Sequence, residues 1–202
     1  SYRAVEVAVV DGAMEYTLVH NGNEVGRYRI ALPGKHNVLN AVGAIALADT
    51  LGLVSLSAAA TYAAGFMGTA RRFEYKGSRN TVRIYDDYAH HPTEIRATLH
   101  AVRELFPMAR IWCVFGPHTY TRTLMFLPQF AECFREADYA LILDIYGSVR
   151  EASGTIHGSD LASAIHGISG NAEYVGTHTA ALSNLEEHID EIDVLVTMGA
   201  GD

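Results

Sequence analysis

The chain has 202 residues, 49% of them hydrophobic and 19% charged, enough for a packed core and for one or two domains. A formal net charge of -8, with 15 Lys and Arg against 23 Asp and Glu, excludes the basic footprint that a phosphate backbone demands, so nucleic acid is not an expected partner. The two cysteines, Cys113 and Cys133, lie apart with no CxxC spacing and read as core thiols of a reducing compartment. SYRAVEVAVV opens without Met and enters at once as an alternating strand, so the sequence reads as a piece of a longer chain. No basic segment followed by an apolar one suggests a leader. Strand-like runs at Arg3 to Val10, Met14 to His20 and Glu24 to Leu32, separated by the turn signals DGA and NGN, predict an antiparallel meander. A helix is expected from Asn37 to Thr50, ended by Gly52, and a second one capped near Ser55 or Ser57. The apolar stretch Ala41 to Phe66 raises a membrane question, but Asp49, Gly52, Ser55 and Ser57 divide it into these two ordinary helices. A soluble cytoplasmic protein with no membrane partner is expected.

The texture changes near Ala70 to Gly77. Beyond it, strands near Thr81 to Tyr85, Arg110 to Phe115, Ala140 to Leu143 and Val194 to Thr197 alternate with helices near Thr93 to Phe106, Leu127 to Ala137, Ser159 to His166 and Ala180 to Ile189. Strands separated by helices of that length predict βαβ units and a mostly parallel, Rossmann-like α/β sheet. In such sheets ligands gather beyond the carboxyl ends of the strands. Three loops fall there: DDYAHHP, GPHTYTRT and DIYGSVRE. Together they bring Asp86, Asp87, Tyr88, His90, His91, His118, Thr119, Thr121, Arg122, Asp144, Tyr146 and Arg150 to one edge. Part of the first loop reads structurally, since His91 before Pro92 and Glu94 at the third helical position resemble a helix start.

Other chemistries fit less well. Adjacent histidines in an extended segment point to opposite sides, and no third ligand follows at i+3 or i+4, so no metal site is expected. A serine hydrolase lacks its GxSxG elbow. Pro33-Gly34-Lys35-His36 looks like the end of a P-loop, yet Arg29 stands where its first glycine belongs and His36 replaces the magnesium-binding hydroxyl. The tail Met198-Gly199-Ala200-Gly201-Asp202 is a glycine-rich turn after a strand, a weak anion signal by itself.

LPGKHNVLNAVGAIALA, FMGTARRFEYKG, DDYAHHPTEI, FGPHTYTRT and DIYGSVRE, in this order and spacing, resemble the ATP-dependent Mur ligases of peptidoglycan synthesis. The resemblance covers nearly the whole chain. It implies residues 1–72 as the end of a P-loop-type central ATPase domain and residues 73–202 as most of a C-terminal Rossmann-like ligase domain, with a final helix beyond them. It also implies the chemistry of the branch that joins L-alanine to UDP-N-acetylmuramate: ATP, with magnesium held mostly by other segments, phosphorylates the muramyl carboxylate, and the alanine amine attacks the acyl phosphate.

By the same resemblance His36, Asn37 and Asn40 belong to the adenine, Arg71 lies against it, Arg72 reaches the terminal phosphate and Asp87 accepts from the ribose. Nucleotide would then draw the two domains together. Tyr88, His90, His118 and Arg122 surround the amino acid, with Arg122 on its carboxylate and His90 or His118 as the proton acceptor. Thr119 replaces an arginine of some relatives. Two rival readings are a ligase that recycles murein tripeptide and a nucleotide-binding module without catalysis. A small pocket walled by Tyr88 and Tyr120 would favour free alanine over the peptide.

Overall fold

The computed structural model describes residues 1–148 and 154–201, which divide into two compact units, Ser1–Thr69 and Ala70–Asp202. Arg71 and Arg72 therefore belong to the second unit.

In the first unit, β1 (Tyr2–Val10), β2 (Ala13–His20) and β3 (Asn23–Ile30) form the expected antiparallel meander. Met14, Tyr16 and Leu18 alternate along the central β2, so all three reach one face. There they meet Tyr28 and Ile30 of β3, Val38, Val42 and Ile45 of α1 (Lys35–Thr50), and Ala59 of α2 (Leu56–Gly65). Ser55 caps α2 by accepting from the Ala58 N–H. Two phenols tie the layers together: Tyr2 donates to Asp49 at 2.6 Å and Tyr28 to the Leu56 carbonyl at 2.6 Å. The outer faces are less well covered, for Leu39, Leu47, Leu51, Leu53, Tyr62, Phe66 and Met67 are all exposed.

The second unit is a six-stranded sheet of order β4-β5-β9-β6-β7-β8. β4 (Glu74–Arg79) pairs antiparallel with β5 (Val82–Asp87), while β5, β6 (Ile111–Gly116), β7 (Tyr139–Leu143), β8 (Ala172–Gly176) and β9 (Val194–Gly199) are parallel. The fold is thus α/β with a mostly parallel sheet. Both faces are buried at β6 and β7, whose residues are almost all apolar. Ile111, Cys113 and Phe115 of β6 face one core while Trp112 and Val114 face the other.

The first core is closed by α3 (Pro92–Leu105), α5 (Leu127–Cys133) and α6 (Gly158–Ser169), the second by α7 (His178–Glu187). On α3 the contacts come from Ile95, Leu99 and Val102, one helical stripe. Handedness explains the split. Progression from β5 to β6, β7 and β8 runs one way across the sheet, whereas β9 requires a return, and a right-handed crossover in reverse lands on the opposite face. Burial raises the pKa of both cysteines, Cys133 to about 12, as suits core thiols. No helix among the described residues is long and apolar enough to cross a membrane.

Two strands and one helix go beyond the sequence reading: β4, β8 and the short α4 (Tyr120–Met125).

Candidate functional site

Asp87, Gly116, Leu143 and Gly199 end their strands at one edge of the sheet, where β9 is aligned with β5 and β6 through the pairs Asp87–Met198 and Gly116–Gly199. The loops beyond this edge carry the candidate residues. β6 and β9 approach so closely here that a Cβ on Gly199 would lie 2.8 Å from the Gly116 carbonyl oxygen, at a φ of +149°. Only glycine fits.

The loop after β5 is internally bonded almost atom by atom. Asp87 is buried, with Oδ2 accepting from the Phe73 N–H at 2.9 Å and Oδ1 from the Ala89 N–H at 2.7 Å. Burial raises its pKa, and the bonds from Ala89 and Phe73, the Arg72 charge and the Thr98 hydroxyl oppose that rise only in part. The expected contact with ribose hydroxyls therefore meets a carboxylate already engaged on both oxygens. Tyr88 donates its N–H to the Arg71 carbonyl at 2.7 Å, and its ring lies 5.2 Å from the Arg71 guanidinium and 5.5 Å from that of Arg72. His90 packs edge-on to the same ring at 5.3 Å between centroids. His91 starts α3 as expected from its place before Pro92: its ring accepts from Thr93, and Glu94 completes the capping box.

The guanidinium of Arg71, the residue expected against adenine, is hydrogen-bonded within its own unit. Its Nε donates to Asp86 at 3.0 Å, and its two terminal nitrogens donate to the carbonyls of Gly201 at 2.5 Å and Gly199 at 2.8 Å. This guanidinium ties the start of the unit to the glycine turn after β9, with Thr197 holding the other oxygen of Asp86 at 2.7 Å. Arg71 and Phe73 adopt positive φ, 56° and 50°, a strained choice for long side chains. Arg72 is exposed.

The loop after β6 is built differently. His118 forms a parallel bridge with Tyr146 of the loop after β7, their rings stacked at 5.5 Å. The bridge is completed by Thr119 N–H donating to the Tyr146 carbonyl and Tyr146 N–H donating to the Pro117 carbonyl, at 2.9 and 2.8 Å. Thr119, a β-branched residue, sits at φ 71°. One turn later, Nη1 of Arg122 is buried and finds no hydrogen-bond partner among the described residues.

Tyr120 lies against glycines, since a Cβ at Gly147 or Gly154 would come within 2.8 or 2.5 Å of it. Tyr88 faces arginines and Tyr120 faces this glycine loop, so the two tyrosines occupy different surroundings. Asp144 receives the Tyr174 hydroxyl at 2.5 Å. Arg150 lies outside the described residues.

In the first unit, α1 begins after Gly34, and Asn37 donates its amide to the Pro33 carbonyl at 2.7 Å, bracing that start. Asn40, one turn on, is exposed on the face away from Val38 and Val42; His36 is half-buried. Among the described residues no three His, Cys, Asp or Glu side chains converge as ligands.

Sequence reasoning missed the closure of Asp87 and Arg71 onto the backbone. It also missed the strain at Thr119, although a β-branched residue directly before a helix start is a visible signal.

A family model described as "Mur ligase, glutamate ligase domain" matches residues 71–201. The chain is 43% identical over 202 residues to a UDP-N-acetylmuramate–L-alanine ligase of Lachnoclostridium phytofermentans, covering 100% of this chain and 43% of that protein. It is 41% identical over 186 residues to the ligase of the same description in Agathobacter rectalis, covering 92% of this chain and 40% of that one. Among solved structures, a UDP-N-acetylmuramate-alanine ligase of Thermotoga maritima superposes with a TM-score of 0.80 at 28% identity, over 100% of this chain and 43% of the other. A murein peptide ligase of Psychrobacter arcticus gives 0.66 at 27%, over 99% and 41%. The chain spans about two fifths of the length of the curated relatives it matches.

Proposed function

From the premise that this chain belongs to the Mur ligase family, we propose that it is part of a cytoplasmic, ATP-dependent ligase that joins L-alanine to UDP-N-acetylmuramate in cell-wall synthesis. The observation that carries the substrate is Nη1 of Arg122, buried without an acceptor among the described residues, one turn after the strained Thr119. An unmatched buried donor costs about 1–3 kcal/mol, which a carboxylate recovers when it takes up the bond. A planar guanidinium suits the two oxygens of an amino acid. His90 and His118 supply the candidate bases, since the incoming ammonium reacts only after losing a proton. Tyr88 lines the same edge.

In the second unit Arg72, exposed beside the ring of Tyr88, is the candidate cation for the terminal phosphate; in the first unit His36, Asn37 and Asn40 at the start of α1 are the candidates for the adenine. Asp87 and Arg71 serve ATP indirectly, by holding Phe73, Ala89 and the 199–201 turn in place. Magnesium, when bound, neutralises charge on the transferring phosphoryl group. The γ-phosphoryl passes to the muramyl carboxylate with release of ADP; the amine then attacks the acyl carbon, and phosphate leaves. Residues 1–69 act as part of the central ATPase domain, and the exposed Leu47, Leu51, Tyr62 and Phe66 support the presence of further domain around them.

The test is ADP release by the full-length enzyme with UDP-N-acetylmuramate as acceptor. Alanine-dependent turnover is expected from it and none from the 202-residue chain alone. Turnover with murein tripeptide but not alanine would assign the recycling activity instead, and nucleotide binding without any turnover would leave a binding module.

A further inference from the structure

The ring of His90 is held by two neighbours. Nδ1 lies 2.9 Å from the Tyr88 carbonyl oxygen and 3.5 Å from Oε2 of Glu94. Both oxygens accept only, so the nitrogen facing them carries the hydrogen, and in the neutral imidazole the lone pair is left on Nε2. The same Glu94 oxygen receives the backbone N–H groups of His90 and His91 at 3.0 and 3.1 Å. Burial by itself would raise the pKa of Glu94. The His90 N–H bond, the His90 ring, the His91 N–H bond and the Arg72 charge together outweigh it, and the carboxyl is held below the usual glutamate value. Other groups near the ring are Tyr88, edge-on at 5.3 Å, the guanidiniums of Arg71 and Arg72, which lie over the ring of Tyr88, and His91 next in the chain.

We propose that Glu94 is a positioning residue of the ligase reaction, fixing His90 through Nδ1 so that Nε2 is the atom that takes the proton from the incoming ammonium. The inference rests on the ligase reading above and selects His90 over His118 as the base. In the step, an N–H bond of the ammonium breaks and an Nε2–H bond forms. The freed nitrogen pair then attacks the acyl phosphate carbonyl, and inorganic phosphate departs with the electrons of the C–O bond and takes the second proton that the nitrogen sheds to become a neutral amide. The resulting imidazolium, protonated on both nitrogens, faces the Glu94 carboxylate. A residue that caps a helix thereby also orients a base.

Glu94→Gln separates the two roles, because a glutamine oxygen still accepts the capping-box bonds while the charge is lost. In the full-length ligase this variant is expected to lower kcat on the order of tenfold, with KM for ATP and alanine and Tm close to wild type. A 15N NMR measurement of the 202-residue chain, at a pH where the ring is neutral, reads the tautomer independently of activity. The Nδ1–H form is expected to dominate at His90, opposite to the preference of a free imidazole side chain, and to decline in Glu94→Gln. A wild-type ring mainly in the Nε2–H form would overturn the inference while leaving the ligase reading intact, and so would an unchanged kcat in Glu94→Gln. Absence of alanine-dependent ADP release from the unmutated enzyme would instead sink the ligase reading and the catalytic role with it.

Discussion

The loops that follow β5 and β6 open on the same edge of the second unit's sheet and are built on opposite terms. In the first, Asp87 holds two backbone N–H groups, Glu94 holds two more, and the His91 ring takes the N–H of Thr93. In the second, Thr119 sits at a backbone angle β-branched residues avoid, and a guanidinium nitrogen of Arg122 is buried without an acceptor among the described residues. A loop whose polar atoms are satisfied internally can orient a neighbour but has little left to offer a ligand. Strain and an unmatched donor mark the place where a ligand improves the structure it enters. The first loop is a frame and the second a seat.

The largest expected effect comes from breaking the frame. Asp87→Ala leaves the Phe73 and Ala89 N–H groups without their acceptor and should cost about 2–6 kcal/mol, at about 1–3 kcal/mol per unsatisfied buried group, read as a lower urea midpoint for the second unit. Arg122→Ala should leave stability nearly unchanged and raise KM for alanine in the full-length enzyme about 10- to 100-fold, as for one lost charged hydrogen bond of about 1.5–3 kcal/mol, with KM for ATP unaltered. If Arg122→Ala destabilised as much as Asp87→Ala, the contrast between frame and seat would collapse.

Thr119→Gly should gain about 0.5–1 kcal/mol in thermal unfolding, as relief of φ strain exceeds the entropy that glycine adds to the unfolded chain. Smallest is the acid response of the frame. Glu94 has a lowered folded pKa, so its contribution is present above the unfolded value of about 4.3 and is lost as pH falls through the folded one. Urea midpoints against pH should therefore slope less steeply below about pH 4.3 in Glu94→Gln than in wild type. Asp87 has the opposite sign: its raised pKa favours the fold below the unfolded value of about 3.9, and that contribution is lost as pH rises through the folded value.

The meander, both helices of the first unit and four of the parallel strands are legible from periodicity, because buried strands such as Ile111–Gly116 are apolar without interruption. β4 and β8 are not. Both lie at sheet edges, where Glu74, Lys76, Arg79 and Glu173 discourage pairing with other chains and erase the hydrophobic pattern. α4, with Thr121 and Thr123 in six residues, has poor helix propensity and depends on its tertiary setting. In the site, residue types pointed to one edge of the sheet, where the structure does gather the three loops, and to the helix-starting role of His91. They could not reveal that Asp87 turns onto the N–H groups of Phe73 and Ala89, or Arg71 onto the carbonyls of Gly199 and Gly201, which arrive from more than a hundred residues away.

That distant arrival bears on how the protein is made. β9 is the last strand of the second unit to be synthesised but lies between β5 and β6, which precede it by about a hundred residues. Until Val194–Gly199 leaves the ribosome, β5 and β6 each present an open edge, and Arg71 has no carbonyls to clasp. The nascent unit must therefore wait, partly collapsed and prone to pairing with the wrong strand, for a six-residue segment that closes its centre. A stall or truncation before Val194 would abolish the sheet rather than shorten it, which makes the interval before Val194–Gly199 emerges the period of greatest exposure to proteases and chaperones.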